Sequence, residues 1–271
     1  EITFKLVYDE ELSKLLALLK SEKEDYYLVG NGSNLLVSDT GYQGVILHFS
    51  KELSKISVEI HEDRAVLHCE AGASLAMIAK SALENGLTGF EFAAGIPGSL
   101  GGAIVMNAGA YGGEMAQVVR SVKLMDAQGT ELTKNNEDMH FSYRHSLLKE
   151  EEYTVMSVDI ELVKGNKEDI KATMDELASK RREKQPLEYP SAGSTFKRPE
   201  GYFAGKLIQD SGLMGYTVGG AQVSTKHAGF VINRDNATAA DVYTLIGDVS
   251  RKVYEDSGVT LEPEVITLGD F

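Results

Sequence analysis

The stretch whose reading decides the fold is Gly95-Ile96-Pro97-Gly98-Ser99-Leu100-Gly101-Gly102-Ala103-Ile104-Val105-Met106-Asn107-Ala108-Gly109-Ala110-Tyr111-Gly112-Gly113. Seven of its nineteen residues are glycine, yet an apolar run occupies its middle. A flexible linker carries no such run, and an ordinary turn has no use for so many glycines. Glycine adopts positive φ and lets main-chain amides approach a ligand with no Cβ in the way. Successive N–H groups in turns form concave anion sites. The pattern predicts two backbone-lined turns flanking a buried strand, built against a phosphate-bearing cofactor. For the stretch taken alone, a pair of tight structural turns is the plain alternative.

A second glycine-bearing loop lies upstream, Gly30-Asn31-Gly32-Ser33-Asn34-Leu35-Leu36, entered from a predicted buried strand Tyr26-Tyr27-Leu28-Val29. It is not a Rossmann fingerprint, because Leu35 stands where the third glycine belongs and no helix follows. It is not a P-loop either, since Gly-Lys-Ser/Thr is missing. It still offers consecutive N–H groups and short polar side chains to a pyrophosphate. Alone it reads equally well as a hairpin turn; with the second loop it predicts a dinucleotide held between the two.

Composition sets the bounds. The 271 residues are 42% hydrophobic and 25% charged, enough for one large domain or two smaller ones with a real core. A net charge of −14 argues against nucleic acid or an anionic membrane as partner. No apolar run approaches the roughly 20 residues of a spanning helix, and Glu1-Ile2-Thr3-Phe4-Lys5 opens no signal-peptide core. Cytoplasm is the expected compartment. One cysteine, Cys69, excludes an internal disulfide, and the six histidines show no metal-ligand spacing.

Asp9 is placed to cap a helix with Leu12, Leu15, Leu16 and Leu19 on one face. Val45-Ile46-Leu47-His48 reads as a strand. Segments 55–60 and 64–69 alternate as a hairpin that turns Cys69 inward, and 74–85 is a helix stopped by Gly86. Strands are predicted at 118–125, 130–133 and 153–163, and a charged helix at 167–184. Pro186 and Pro190 mark a boundary, giving domains 1–185 and 186–271. Beyond it lie a short helix near 204–211, a long one at 238–256 between Thr238 and Gly258, and a closing strand at 260–267. The mixture without a strict βαβ beat predicts an α+β fold.

Chemistry-bearing residues stand out in three places. Arg144 sits in Phe141-Ser142-Tyr143-Arg144-His145-Ser146 and has the bidentate geometry for a carboxylate or phosphate. Ser194 lies in Ser191-Ala192-Gly193-Ser194-Thr195-Phe196-Lys197, whose Ser-x-x-Lys lacks the partner motifs of acyl-transferring enzymes. Glu264 is an acid set inside the closing strand, where burial is costly unless the carboxylate is paired. Taken singly, each has a bland reading: a surface arginine, a loop hydroxyl, a solvent-facing acid. Cys69 reads as an inert core residue.

Together the segments resemble one family, the flavin-dependent UDP-N-acetylenolpyruvylglucosamine (UDP-N-acetylmuramate) reductases of peptidoglycan synthesis. The resemblance runs in order through 30–36, 95–102, 107–112, Tyr143-Arg144, 192–199, 204–208, 219–224, 228–233 and 262–265. It implies an FAD-binding domain of the vanillyl-alcohol-oxidase/PCMH type in two subdomains, followed by a C-terminal α+β domain for the nucleotide-sugar. It implies non-covalent FAD, with NADPH as hydride donor, and small-molecule substrates with no obligate protein partner. By this match Gly30, Asn31, Gly32, Ser33, Asn34, Leu35, Gly95, Pro97, Gly98, Ser99, Gly102, Asn107, Gly109 and Ala110 contact the cofactor. Arg144, Ser194 and Glu264 match the catalytic trio, and Tyr111, Lys184 and Lys206 fall at substrate-facing positions.

Three departures accompany the resemblance. The family usually begins with a further segment that includes a Gly-Gly-x-Ala-type stretch; here the chain opens at the strand before the first helix and reads as truncated. Arg198 stands where many members have asparagine. The interval between Arg144 and Ser194 is filled by one strand and one helix, which fits the shorter-loop (type II) branch. Two other functions are weighed: a different FAD oxidoreductase of the same fold, and a non-catalytic flavin- or nucleotide-binding module. Neither glycine-rich loop has a histidine or cysteine for covalent flavin, and the retained trio favours the reductase.

Overall fold

Residues 103–106 are not a strand. In the computed structural model, which describes residues 2–5, 9–49 and 51–271, they belong to a short helix, Leu100–Val105, and its end at Met106. Ser99 has extended angles (φ −85°, ψ 159°) and opens the helix. Leu100, Ala103 and Ile104 then fall at i, i+3 and i+4 on one helical face, and each is 4% exposed or less. A run of four apolar residues is shorter than either period needs to declare itself. Truncating a side chain as buried as Ile104 costs about 2–5 kcal/mol.

The chain divides into two units, residues 1–31 with 44–179 and residues 32–43 with 180–271. The first unit holds a parallel sheet in the order Ile2–Lys5, Val45–His48, Tyr26–Val29. Tyr26–Val29 is half-buried along its length, not fully buried, because it lies at the edge of that sheet. The helix Asp9–Glu22 buries Leu12, Leu16 and Leu19 in the same core as Val45 and Leu47; the expected cap by the Asp9 side chain lies outside the described residues. An antiparallel sheet runs Glu131–Asn135, Val119–Asp126, Tyr153–Lys164, Arg64–Glu70, Ile56–Ile60. Its hairpin pairs Ile56 with Cys69, which is fully buried. Burial, helped by the Asp159 carboxylate, pushes that thiol up to about 12, so it carries no reactive thiolate. Ser74 caps the helix Leu75–Glu84 by accepting the Met77 N–H, and Gly86 leaves it at φ 64°.

The helix Lys167–Lys184 passes from the first unit into the second. There Thr217–Val218, Ala221–Val223 and Val231–Asn233 form an antiparallel sheet. Ile208 of the helix Ala204–Asp210 and Leu245, Val249 and Val253 of the helix Ala239–Ser257 share a core with Ala221 and Val223. Thr238 and Asp241 form a capping box at the start of the long helix, and Gly258 ends it at φ 71°. The Asp39 carboxylate accepts the next two orphan donors, Ala239 N–H at 2.8 Å and Ala240 N–H at 3.0 Å. The closing strand is shorter than expected: Ile266–Leu268, paired in parallel with Leu35–Val37. Ahead of it Pro263 has no N–H to extend a ladder, and residues 260–265 make a single bridge, Phe196 with Pro263. Glu264 therefore stands in an irregular segment before the strand, not within it.

Candidate active site

In the first unit Gly30 and Asn31, the first two residues of the upstream loop, meet the downstream one. A Cβ on Gly30 would lie 1.9 Å from Ser99 Oγ, so any larger residue would have to displace that side chain. Asn31 Nδ2 donates to the Pro97 carbonyl at 3.2 Å. Leu75 N–H donates to the Gly98 carbonyl. The amides of Leu100 and Gly101 are spent on the Ala73 and Ala71 carbonyls at 2.8 Å each. Neither residue was among those expected at the cofactor; Asn31, Gly95, Pro97 and Gly102, which were, are exposed.

Farther along the same stretch Asn107 is fully buried, and its side chain is committed to protein. Its Nδ2 donates to the Ser142 carbonyl at 2.9 Å, and its Oδ1 accepts the Ala116 N–H at 2.9 Å. Ser142 and His145 exchange N–H···O bonds across a tight turn. Arg144 sits in that turn at φ 55°, in the left-handed region that costs a non-glycine residue roughly 1–2 kcal/mol. Its guanidinium donates to the Gly109 carbonyl at 3.3 Å and lies 5.1 Å from the Tyr143 ring centroid. The buried Ser146 hydroxyl donates to the Val105 carbonyl at 2.9 Å. The arginine turn is thus fastened to residues 105–109. Gly109 and Ala110 form a small hairpin with Gly113–Glu114, and Tyr111 between them is exposed at φ 54°.

In the second unit Ser194 is exposed and Glu264 half-buried. Their segments run side by side: Glu264 N–H donates to the Thr195 carbonyl at 2.8 Å, Lys197 N–H to the Glu262 carbonyl at 2.9 Å, and Thr195 N–H to the Gly229 carbonyl at 2.9 Å. Asn34 Nδ2 donates to the Glu264 carbonyl at 2.9 Å. The Thr195 hydroxyl accepts the Val231 N–H. A cavity of about 410 Å³ opens beside them, lined by Gly32, Leu35, Ala192, Thr195, Asn233 and Val265 among others. Lys184 is exposed at the end of its helix. Lys206 is exposed on the helix Ala204–Asp210 and ion-paired with Asp210. Among the described residues no group of three or more acidic, histidine or cysteine side chains could hold a metal ion, and no helix is long and apolar enough to cross a membrane.

Comparison with known proteins identifies the family. The pattern of the UDP-N-acetylenolpyruvoylglucosamine reductase C-terminal domain matches residues 185–268, and that of an FAD binding domain matches residues 4–134. The UDP-N-acetylenolpyruvoylglucosamine reductase of Caldanaerobacter subterraneus subsp. tengcongensis is 53% identical over 261 residues, 96% of this chain and 85% of that protein. This chain belongs to the UDP-N-acetylenolpyruvoylglucosamine reductase family. The Clostridioides difficile reductase is 48% identical over 97% of the chain and 85% of its own length. The crystal structure of the Thermus caldophilus enzyme (MurB) superposes with a TM-score of 0.83 at 33% identity, covering 98% of this chain and 91% of that one. The chain is accordingly an FAD-dependent oxidoreductase of peptidoglycan synthesis with an FAD-binding domain and the reductase C-terminal domain.

The residues present fit FAD. Gly30 packs without a Cβ against the Ser99 side chain, and Gly95, Pro97 and Gly102 stay exposed, so the downstream loop offers bare backbone to a pyrophosphate. Three asparagines of the reductase loops nonetheless use their amides on the protein: Asn31 on Pro97, Asn34 on Glu264 and Asn107 on Ser142. Sequence reasoning assigned all three to the cofactor. Ser146 and Asp39 it missed, because a hydroxyl aimed at residue 105 and a carboxylate aimed at residue 239 leave no mark on local periodicity.

Proposed function

We propose that this chain reduces the enolpyruvyl ether of UDP-N-acetylglucosamine-enolpyruvate to UDP-N-acetylmuramate, in the cytoplasm, with residues 1–185 carrying FAD and 186–271 the substrate. FAD, when bound along the loops at 30–35 and 95–110, supplies the hydride that originates on NADPH and ends on the terminal methylene carbon. Hydride arrival pushes negative charge toward the substrate carboxylate. Arg144, a planar donor of fixed charge, holds that carboxylate. Glu264 completes the stabilisation by hydrogen-bonding the developing enolate through its proton or a water. Preset donors of this kind are each worth about 10²–10³ in rate. Ser194 delivers the balancing proton to the carbon that bears the ether oxygen. Lys184, Lys206 and Tyr111 bind the remainder of the nucleotide-sugar.

The observation that carries this reading is the Glu264–Thr195 hydrogen bond, in a chain 53% identical to a UDP-N-acetylenolpyruvoylglucosamine reductase. It holds the chain segments of the proposed acid and the proposed proton donor against each other. The test is an anaerobic titration of purified protein. NADPH should bleach the flavin bands, and the enolpyruvyl nucleotide should restore them with one equivalent of UDP-N-acetylmuramate formed. Bleached bands that this nucleotide leaves unchanged would sink the proposal.

A further inference from the structure

We infer that Asn107 is the positioning residue of the reductase arginine, acting on the substrate step through Arg144 and not by contact with cofactor or substrate. The inference rests on the proposed role of Arg144. Left to itself, a two-residue turn with an L-residue at φ 55° relaxes toward negative φ; it persists where its surroundings over-determine it. Here the Ser142 carbonyl, at the base of the turn, receives two donors: His145 N–H from within and Asn107 Nδ2 from outside. Asn107 is itself pinned by the Ala116 N–H on its other amide atom, so it cannot swing away. Its own backbone is at φ 43°, a conformation asparagine tolerates better than other non-glycine residues. The Ser146 hydroxyl, on the Val105 carbonyl, holds the far side of the turn. Both anchors grip residues 105–107, two to four residues before Gly109, whose carbonyl takes the guanidinium. The arginine head and its backbone are therefore referenced to one short segment. The Asn107 side chain is fully buried and makes one hydrogen bond to protein at each end of its amide, so it presents no exposed polar atom to a ligand.

The test is a double-mutant cycle, because a residue that acts through Arg144 has nothing to act on once Arg144 is gone. Rates of flavin reoxidation by the enolpyruvyl nucleotide are measured in FAD-loaded wild type, Asn107→Ala, Arg144→Ala and the double variant. Asn107→Ala should slow reoxidation by about 10–100-fold, as small misplacements of a binding group do. In the Arg144→Ala background the same change should cost less than about 2-fold. Equal factors in both backgrounds, or no effect in either, overturn the inference. An Arg144→Ala variant that reoxidises at the wild-type rate overturns the prior reading of Arg144 instead, so the two failures are distinguishable. A second readout needs no flavin. Amide hydrogen exchange at His145 and Ala116 should accelerate in Asn107→Ala while residues 119–126 and 153–164 keep their protection; unchanged exchange at both amides rejects the clamp. Should Asn107→Ala not accumulate as folded protein, Ser146→Ala takes its place in the same cycle. The same non-additivity with Arg144→Ala is then expected, and additivity overturns the inference.

Discussion

The turn that carries Arg144 and the segments that carry Ser194 and Glu264 are fastened by different kinds of bond. Arg144 depends on two side-chain bonds that fasten the flanks of its turn: Asn107 reaches in to Ser142 from 35 residues away, and Ser146 reaches out to Val105, 41 residues away. Ser194 and Glu264 lie in a run of main-chain hydrogen bonds linking Gly229, Thr195, Glu264, Lys197 and Glu262, to which Asn34 adds one side-chain bond. A main-chain ladder survives most substitutions, because no side chain forms it. A side-chain clamp is removed by one codon. In the second unit chemistry and architecture are thus separable by mutation, and in the first they are entangled.

The sharpest separation should come at Ser194. Ser194→Ala removes a hydroxyl but no ladder bond, so flavin loading, bleaching by NADPH and thermal midpoint should match wild type. Reoxidation by the enolpyruvyl nucleotide should slow by at least about 10²-fold, the low end for losing general-acid catalysis. Stopped-flow traces in which both half-reactions slow equally would mean that the hydroxyl supports the loop after all. Glu264 should follow with a graded loss. Its main chain is held on both sides, so Glu264→Gln keeps a hydrogen-bonding group in place and retains part of the activity, whereas Glu264→Ala loses about 10-fold more. Identical, near-wild-type turnover in both would assign the carboxylate to solvent.

At Arg144 stability and activity should be set by different atoms, the backbone and the guanidinium. Glycine accepts the left-handed backbone that the turn imposes. Arg144→Gly should therefore be more stable than Arg144→Ala by about 1 kcal/mol in urea denaturation, although both lose the substrate step. Equal midpoints would mean that the turn relaxes once the guanidinium is gone.

The smallest expected effect is on pH dependence, and it probes the ladder's own weak point. His227 Nδ1 accepts the Gly229 N–H at 3.1 Å, and Gly229 in turn accepts from Thr195. Burial, with Lys184 nearby, holds this imidazole below its ordinary 6.5. The unfolded chain therefore takes the proton first. The contribution of His227 is whole above 6.5 and is lost as pH falls through that value toward the lowered folded one. His68 on the antiparallel sheet behaves oppositely. Its hydrogen bond to Asp159 raises it, so its contribution is whole below 6.5 and is lost as pH rises through the folded value. Urea midpoints across this range should lose their acid slope in His227→Phe and their alkaline slope in His68→Gln. Slopes unchanged in both variants reject the assignment.

What the sequence disclosed follows from the range of each signal. The leucine face of residues 12–19, the hairpin ending at Cys69 and the long helix between Thr238 and Gly258 declare themselves within one element. The ordered glycine motifs disclosed the family. The helix at Leu100–Val105 was hidden because its apolar run is shorter than two turns. The closing strand was drawn too long because the cost of Pro263 depends on whether a neighbour needs its missing N–H. The strain at Arg144 and the side-chain hydrogen bonds of Asn34 and Asn107 within the protein were illegible for a third reason. Each depends on atoms brought from 35 to 230 residues away, which no local pattern encodes.

The parallel pairing of Leu35–Val37 with Ile266–Leu268 bears on how the protein is made. On a ribosome, Leu35–Val37 emerge long before the strand they pair with. Asn34 must wait 230 residues for Glu264. At about 5–20 residues per second that is on the order of ten to fifty seconds. Throughout that interval a short apolar strand with free edges is tethered to a nascent unit to which it does not belong. Because this closure spans 230 residues, the Glu264 segment is set against Asn34 long after Asn34 itself has been made.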